Sequence, residues 1–342
     1  MLLAGVDGGR QVVELATGRV RPATRADLVT RSLAVRRVGD SSAARRWLRF
    51  LAEVFEADAD MIDWVHRWLG YCLSGLNREH IFLFAHGLGA NGKTVLLDTC
   101  AYLWGDYVRT AQPDTLMAQI RTGSGPSPDL ARLAGARLVL ASETEEGRPL
   151  AEALVKQLTG GDRVTARDMY SKPFEFEPRF KMILMGNHRP TITGTDNGIW
   201  RRIRLVPFSR IFAAHEQDSG LAGALRAEAE HITAWLIEGC GEYLRRGLAD
   251  VPATISGATS AYRDEQDVVG DWVGERTSLG SETQANILYD DFKRWSEASG
   301  HRPMSVQAFG RRLAERGFAK RRTAKGALYT GLGLKGVLDV LD

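Results

Sequence analysis

Residues 87–94 read GLGANGKT, a complete GxxxxGK[ST] pattern set between the apolar run IFLFAH (81–86) and the helical pattern VLLDTCAYLW (95–104). No other feature limits the fold as tightly. Glycines at 87, 89 and 92 let the backbone curl with its N–H groups inward, and a helix starting at Lys93 turns its positive end towards a bound anion. Strand, loop and helix in that order exclude all-α and all-β classes. Three more short apolar runs without alternation, RLVLA (137–141), KMILM (181–185) and IRLV (203–206), fit strands of a parallel sheet buried on both faces. The candidate phosphate-binding residues are therefore Gly87, Gly89, Ala90, Asn91, Gly92, Lys93, Thr94 and Val95. Lys93 is expected to reach the β/γ-phosphates of ATP and the Thr94 hydroxyl to ligate Mg²⁺.

Nucleotide hydrolysis also needs an acid at the end of a neighbouring strand. Glu143 stands directly after RLVLAS, which makes it the expected Walker B acid and a magnesium-side ligand, with Glu145 as its helper. The competing reading of 143–146 is a solvated acidic turn. Asn187 ends the run KMILMG and can hydrogen-bond both the γ-phosphate and an attacking water. Arg201 and Arg202 follow in IWRRIRLVPF. An arginine placed across a subunit boundary stabilises charge on a transferring phosphoryl group; packing of an arginine stem on Trp200 is the structural alternative.

A chain of 342 residues suits two or three domains, since single cores stop growing near ~250 residues. The pattern predicts a helical N-terminal collar over 1–76, with a short hairpin around Ala16–Gly18, then an α/β core over 77–246. A linker rich in small and turn-forming residues follows over 247–260, and a small domain over 261–342. Cys72, Cys100 and Cys240 are odd in number and form no CxxC pair, which excludes a disulfide scaffold and a thiolate zinc site. No apolar run approaches the ~18 residues of a membrane span and no secretory signal is evident, so a cytoplasmic setting without membrane contact is expected.

Taken in order, GLGANGKT, ASETEEG (141–147), KQLTGGD (156–162) running to ARDMY (166–170), MGNHRP (185–190) and IWRRIRLVPF (199–208) resemble the motifs of superfamily 3 helicases. More narrowly, they are similar to the helicase half of phage and plasmid primase-helicases. The resemblance covers most of the chain. It implies an AAA+-like P-loop ATPase core, assembled as a homo-oligomeric ring, usually a hexamer, that translocates 3′ to 5′ on single-stranded DNA in the cytoplasm of a bacterial host. It also implies Glu143 in Walker B, Asn187 as sensor 1, and Arg201 or Arg202 as the trans finger. A hairpin should line the ring's channel, with Lys172 at its tip, Arg167 lower down and Tyr170 stacking or wedging. Relatives that make primers carry a polymerase domain upstream, whereas about 80 residues precede the phosphate loop here. The expectation is a helicase without primase activity, with any primase acting in trans.

Between His301 and Thr330 stand eight Lys or Arg against one acid, Glu315, an excess larger than the +3 of the whole chain. The helix–helix–strand–strand order from Leu288 onward is that of a winged helix. Arg311 and Arg312 on its helix and Arg321 and Arg322 in its wing are the expected DNA contacts, with a forked or origin duplex as partner. Two rival functions share these features. One is a DNA-stimulated P-loop ATPase that remodels complexes without unwinding; the other is an origin-binding module whose assembly ATP controls.

Overall fold

The chain begins with strand rather than helix: β1 (Leu3–Val6), β2 (Gln11–Glu14) and β3 (Arg19–Pro22) form an antiparallel sheet in that order. β2 and β3 make the hairpin expected from sequence, and Gly18 supplies the left-handed residue (φ 70°) that its turn requires. This computed structural model describes residues 3–118, 127–142, 147–192, 194, 197–301, 303–324 and 326–335. Two helices follow, α1 (Arg45–Val54) and α2 (Ala59–Ser74), the second capped by the Asp58 carboxylate accepting from the Met61 amide.

The α/β core runs β4 (Phe82–His86), α3 (Lys93–Trp104), β5 (Val108–Ala111), the single turns α4 (Pro113–Leu116) and α5 (Pro128–Ala131), and β6 (Leu138–Ser142). It continues through α6 (Glu152–Gly160), β7 (Val164–Ala166), β8 (Phe174–Phe176), β9 (Lys181–Gly186), α7 (Asn197–Trp200) and β10 (Ile203–Pro207). Five strands form one parallel sheet in the order β10-β4-β9-β6-β5, and β7 pairs with β8 as a separate antiparallel ribbon. β9 therefore lies between the strand that leads into GLGANGKT and β6. Register places Gly186 opposite His86 and Ser142 opposite Met185, so the carboxyl ends of β4, β6 and β9 share one edge. Ligands of parallel sheets bind at such an edge.

Lys181, at the other end of β9, is buried with no acidic partner among the described residues. Its Nζ lies 4.3 Å from the centre of the Tyr71 ring and donates to the Arg179 carbonyl, with Arg137, Cys72 and Cys240 the nearby titratable groups. Burial pushes its pKa down to about 7 from 10.5. Between those values the unfolded chain binds one proton more than the folded chain, so stability should rise as pH rises from about 7 to 10. Lys181→Met is expected to stabilise the fold at pH 7 by about 1–4 kcal/mol, with a smaller gain at pH 10. Denaturant melts at both values check this; an equal gain at both removes the lysine charge as the cause.

α8 (Leu221–Ala227) and α9 (Ala229–Arg246) return the chain to α2, and α10 (Ala253–Glu265) follows. Two sequence expectations change here. Residues 1–76 are not a separate helical collar: a single core joins Val6, Leu15, Trp47 and Trp64 to Leu83, Ile183 and Val206 of the sheet and to Trp235 of α9. The N-terminal helices bury their apolar stripes on the core domain itself. Nor is 247–260 a free linker. Arg67, 1% exposed, holds Asp250 and the Gly247 carbonyl; Thr254 bonds Asp58, Ile255 enters the core, and Thr259 accepts from the Leu205 amide. Tertiary contacts override the weak helix propensity of the Gly, Ser and Thr residues there.

The described chain divides into two compact units, Met1–Ser260 and Ala261–Asp342. In the second, α11 (Val268–Arg276), β11 (Thr277–Gln284), α12 (Ala285–Ala298), α13 (Val306–Glu315), β12 (Ala319–Thr323) and β13 (Gly326–Leu334) surround a core of Trp272, Leu288, Phe292, Phe309 and Leu313. Its antiparallel sheet has the order β11-β13-β12.

Candidate functional site

The loop after β4 is shaped by residues that other side chains cannot replace. Gly89, Ala90 and Gly92 take positive φ of 110°, 44° and 83°. A Cβ on Gly87 would stand 2.4 Å from Asn91 Nδ2 and 2.5 Å from the Phe208 carbonyl, and one on Gly92 would stand 2.6 Å from Val54 of α1. The left-handed Gly92 is also the N-cap of α3 and gives it no side-chain cap. The first amides of α3, at Thr94 and Val95, are thus oriented towards whatever anion the loop holds.

Asn91 is buried and ties the loop down: its Nδ2 donates to the Phe208 carbonyl at 3.3 Å and its Oδ1 accepts from Lys93. Lys93 is buried too, and burial lowers its pKa. Its ammonium donates to the Gly87 carbonyl, to Asn91 Oδ1 at 3.2 Å and to Asn187 Oδ1 at 3.2 Å. The last bond is the important one, because Asn187 comes from the tip of β9, 94 residues along the chain. The lysine and the amide singled out in sequence are brought together on either side of a cleft of about 510 Å³, which Thr94, Ser142 and His188 also line. Thr94 is exposed in the first turn of α3.

The remaining candidates separate. Glu143 and Glu145 lie outside the described residues; Ser142, immediately before them, lines the cleft. Arg202 is 9% exposed, its Nε bonded to Thr159 Oγ1 at 3.1 Å and its Nη1 to the Gly198 carbonyl at 2.7 Å. Arg201 beside it is exposed. Both precede β10 and so occupy the amino edge of the sheet, roughly 16 Å from the carboxyl edge by strand length.

The ribbon β7–β8 turns at Asp168–Ser171, where the Ser171 amide donates to the Asp168 carbonyl. Lys172 was expected at the tip; Met169 and Tyr170 form it instead, and Lys172 follows on the descending arm, exposed. Asp168 opens the turn by accepting from the Met169 amide, which sets the apex ahead of Lys172. Tyr170 is fully exposed in the left-handed region (φ 60°), an unfavourable conformation for an aromatic residue. Arg167 is half-buried at the base, its backbone bonded to Ser127.

In the second unit Arg311, Arg321 and Arg322 are exposed and Arg312 is half-buried. Arg321 pairs with Glu282 of β11 at 3.3 Å. Sequence reading missed the Phe208 carbonyl as an anchor of the phosphate loop, since nothing local links it to Asn91, 117 residues earlier.

Together these features define a mixed α/β fold, consistent with the nucleotide-binding kind, with the GLGANGKT loop at the carboxyl edge of a five-stranded parallel sheet. The model of a family of unknown function, DUF5906, matches residues 85–202, which holds the loop, β9 and both arginines. A protein of Acanthamoeba polyphaga mimivirus provisionally named a helicase is 29% identical over 271 residues, covering 73% of this chain and 28% of its own. A Frog virus 3 protein of the same provisional name is 26% identical over 271 residues, covering 74% and 28%. One from African swine fever virus, provisionally named a primase, is 25% identical over 278 residues, covering 74% and 29%. The chain thus spans less than a third of the length of these viral relatives. Among solved structures, the apo C-terminal region of NrS-1 aligns with 84% of this chain and 76% of its own at 12% identity and a TM-score of 0.49. No helix among the described residues is long and apolar enough to cross a membrane.

Proposed function

We propose that this chain is the ATP-driven motor of a DNA helicase, serving the replication of a virus or related mobile element and working as a ring of identical, AAA+-like subunits. The observation that carries the reading is the bond between Lys93 and Asn187, which joins the phosphate loop to the tip of the strand beside it. A γ-phosphate bound here would accept from the Lys93 ammonium, freeing the Asn187 amide to orient the attacking water. The loop fits such a group: its Cβ-free turns and uncapped helix end present donors without acid among its own residues. Magnesium, held by the Thr94 hydroxyl and by Glu143 through water, would supply charge neutralisation at the phosphates. Viral relatives with helicase and primase names support the replication setting.

Position argues that the arginine acts in trans. Arg201 is exposed at the edge of the sheet opposite the loop, too far to reach a nucleotide bound by its own subunit. A neighbour in a ring can use it. Arg202 is committed to Thr159 and Gly198 and serves the fold. Arg201→Ala should therefore lower ATP hydrolysis by about 10³-fold or more while nucleotide binding persists. Arg202→Ala should instead lower the melting temperature by removing the buried partner of Thr159. Equal hydrolysis by wild type and Arg201→Ala overturns the finger assignment.

Cycling of the subunit interface would carry the β7–β8 ribbon, with Tyr170 at its apex and Lys172 and Arg167 on its arms, along single-stranded DNA. The α–β–α–α–β–β order and sheet of the second unit support a winged helix that contacts duplex near the fork. Unwinding of a forked duplex by the purified chain with ATP tests the proposal. Hydrolysis stimulated by single-stranded DNA without strand separation favours a remodelling ATPase; specific duplex binding without any hydrolysis favours an origin-binding module.

A further inference from the structure

Apart from the phosphate cleft, the second unit holds a groove of about 550 Å³ between α13 and β12. α13 turns Gln307, Gly310, Arg311 and Ala314 towards it, a single helical face by spacing, and the strands contribute Lys320 and Tyr329. The floor is unusual. Tyr329 is 2% exposed, with its ring in the core beside Phe309 and Phe292, yet its hydroxyl has no hydrogen-bond partner among the described residues. That hydroxyl reaches the groove against Gly310, where a Cβ would stand 3.2 Å from it. Burial raises the phenol pKa, so the group is a donor at neutral pH. The hydroxyl opens into the groove and makes no hydrogen bond among the described residues, so it can donate to an acceptor on a ligand without breaking an internal hydrogen bond.

The walls define the ligand's charge. Lys320 stands opposite Tyr329 in the β12–β13 ladder, its Nζ 5.7 Å from the ring centre. Arg322, two residues on, shares that face of the strand by alternation. Arg321 points to the other face, where Glu282 neutralises it. No Asp or Glu lines the groove among the described residues, and Arg311 makes no ion pair among them. Each polar side chain on the groove can donate a hydrogen bond. The two walls are a helix and a β-ribbon, the two elements that duplex grooves admit, and a sugar-phosphate ridge would fit between them. A peptide would present both signs of charge and its own donors to a surface with no acid to receive them.

We propose that this groove binds a backbone phosphate of duplex DNA, the Tyr329 hydroxyl donating to a non-bridging oxygen while Arg311 and Lys320 close on it from the two walls. This rests on reading the chain as a protein that acts on DNA, and it makes the four arginines expected to contact DNA unequal: Arg311 lines the groove, Arg322 shares the strand face of Lys320, and Arg321 turns away towards Glu282.

The test is fluorescence anisotropy of the full chain, without nucleotide, on a mixed-sequence duplex and on the single strand of the same length. Tyr329→Phe removes one oxygen and keeps the ring. It should weaken duplex binding by about tenfold, with a melting temperature equal to or above wild type, because no internal bond is lost. Lys320→Ala and Arg311→Ala should each weaken duplex binding and reduce the salt slope by about one. Lys293→Ala, an exposed cation on α12, should change affinity by less than about twofold. Wild-type duplex affinity in Tyr329→Phe overturns the proposal, as does a loss seen only with the single strand. A loss that tracks a lower melting temperature overturns it too. Hydrolysis and unwinding measured on the same preparations separate this from the motor reading: a chain that unwinds while the groove variants bind normally refutes the groove alone, and a chain without ATPase whose Tyr329→Phe binds weakly refutes the motor alone.

Discussion

Lys93→Ala is expected to cut ATP hydrolysis by at least about two to three orders of magnitude while the chain stays folded. Among the described residues lining the cleft Lys93 is the only lysine or arginine, and its Nζ bonds oxygens from the loop and from the tip of β9 at once. Its removal takes away the donor that would follow charge onto the γ-phosphate, and it disconnects Asn187 from the loop. Folding should tolerate the change, because the site is an ammonium held against burial rather than a packed apolar side chain. Two readouts separate the chemistry from the fold. Without nucleotide, the melting temperatures of wild type and variant should agree closely. With a non-hydrolysable ATP analogue and Mg²⁺, wild type should gain stability by mass action and the variant much less. Hydrolysis by Lys93→Ala within about tenfold of wild type would falsify the assignment of this cleft as the hydrolytic site.

The phosphate loop and Asn187 were legible because their signals are local: glycine spacing, a strand ending in a polar residue, and a helix beginning at Lys93. What sequence could not convey is pairing. That β9 inserts between β4 and β6, and so brings Asn187 within 3.2 Å of Lys93, depends on contacts between segments some 94 residues apart. Adjacent residues of one type were equally opaque. Arg201 and Arg202 are identical in kind, yet one projects outward and the other is drawn inward by Thr159 of α6. Residues 247–260 looked like a linker because Gly, Ser and Thr are weak helix formers, whereas Ile255 and Arg67 decide their structure through burial. The β7–β8 apex falls at Met169 and Tyr170 instead of Lys172 because the Asp168 carboxylate accepts from the Met169 amide and fixes the turn there. Local chemistry thus marks the candidate site, and tertiary packing decides which neighbours surround it.

Gly70→Ala should destabilise the chain by roughly 3 kcal/mol or more, although alanine is the better helix former by about 1 kcal/mol. Gly70 lies in α2 where that helix crosses α9. A Cβ there would stand 2.1 Å from the Cys240 amide nitrogen and 2.2 Å from the Gly239 carbonyl carbon. These are backbone atoms, so no rotamer change relieves the clash. The contact is reciprocal: a Cβ on Gly239 would meet the His66 carbonyl at 2.4 Å. The two helices can accept either methyl group only by moving apart, which opens the core around Trp64, Trp68 and Trp235 that joins the N-terminal helices to the sheet. α1, whose Val54 and Phe50 stand against Gly92, belongs to the same core, so the loss should extend to nucleotide binding. Gly241→Ala on α9 is the matched control: nothing lies within 4 Å of its Cβ position, and its effect should be stabilising by up to about 1 kcal/mol. Denaturant melts of the two variants decide the matter. Equal midpoints would mean that the α2–α9 crossing is looser than 2.1 Å implies, and that the N-terminal helices are held to the sheet by their apolar side chains alone.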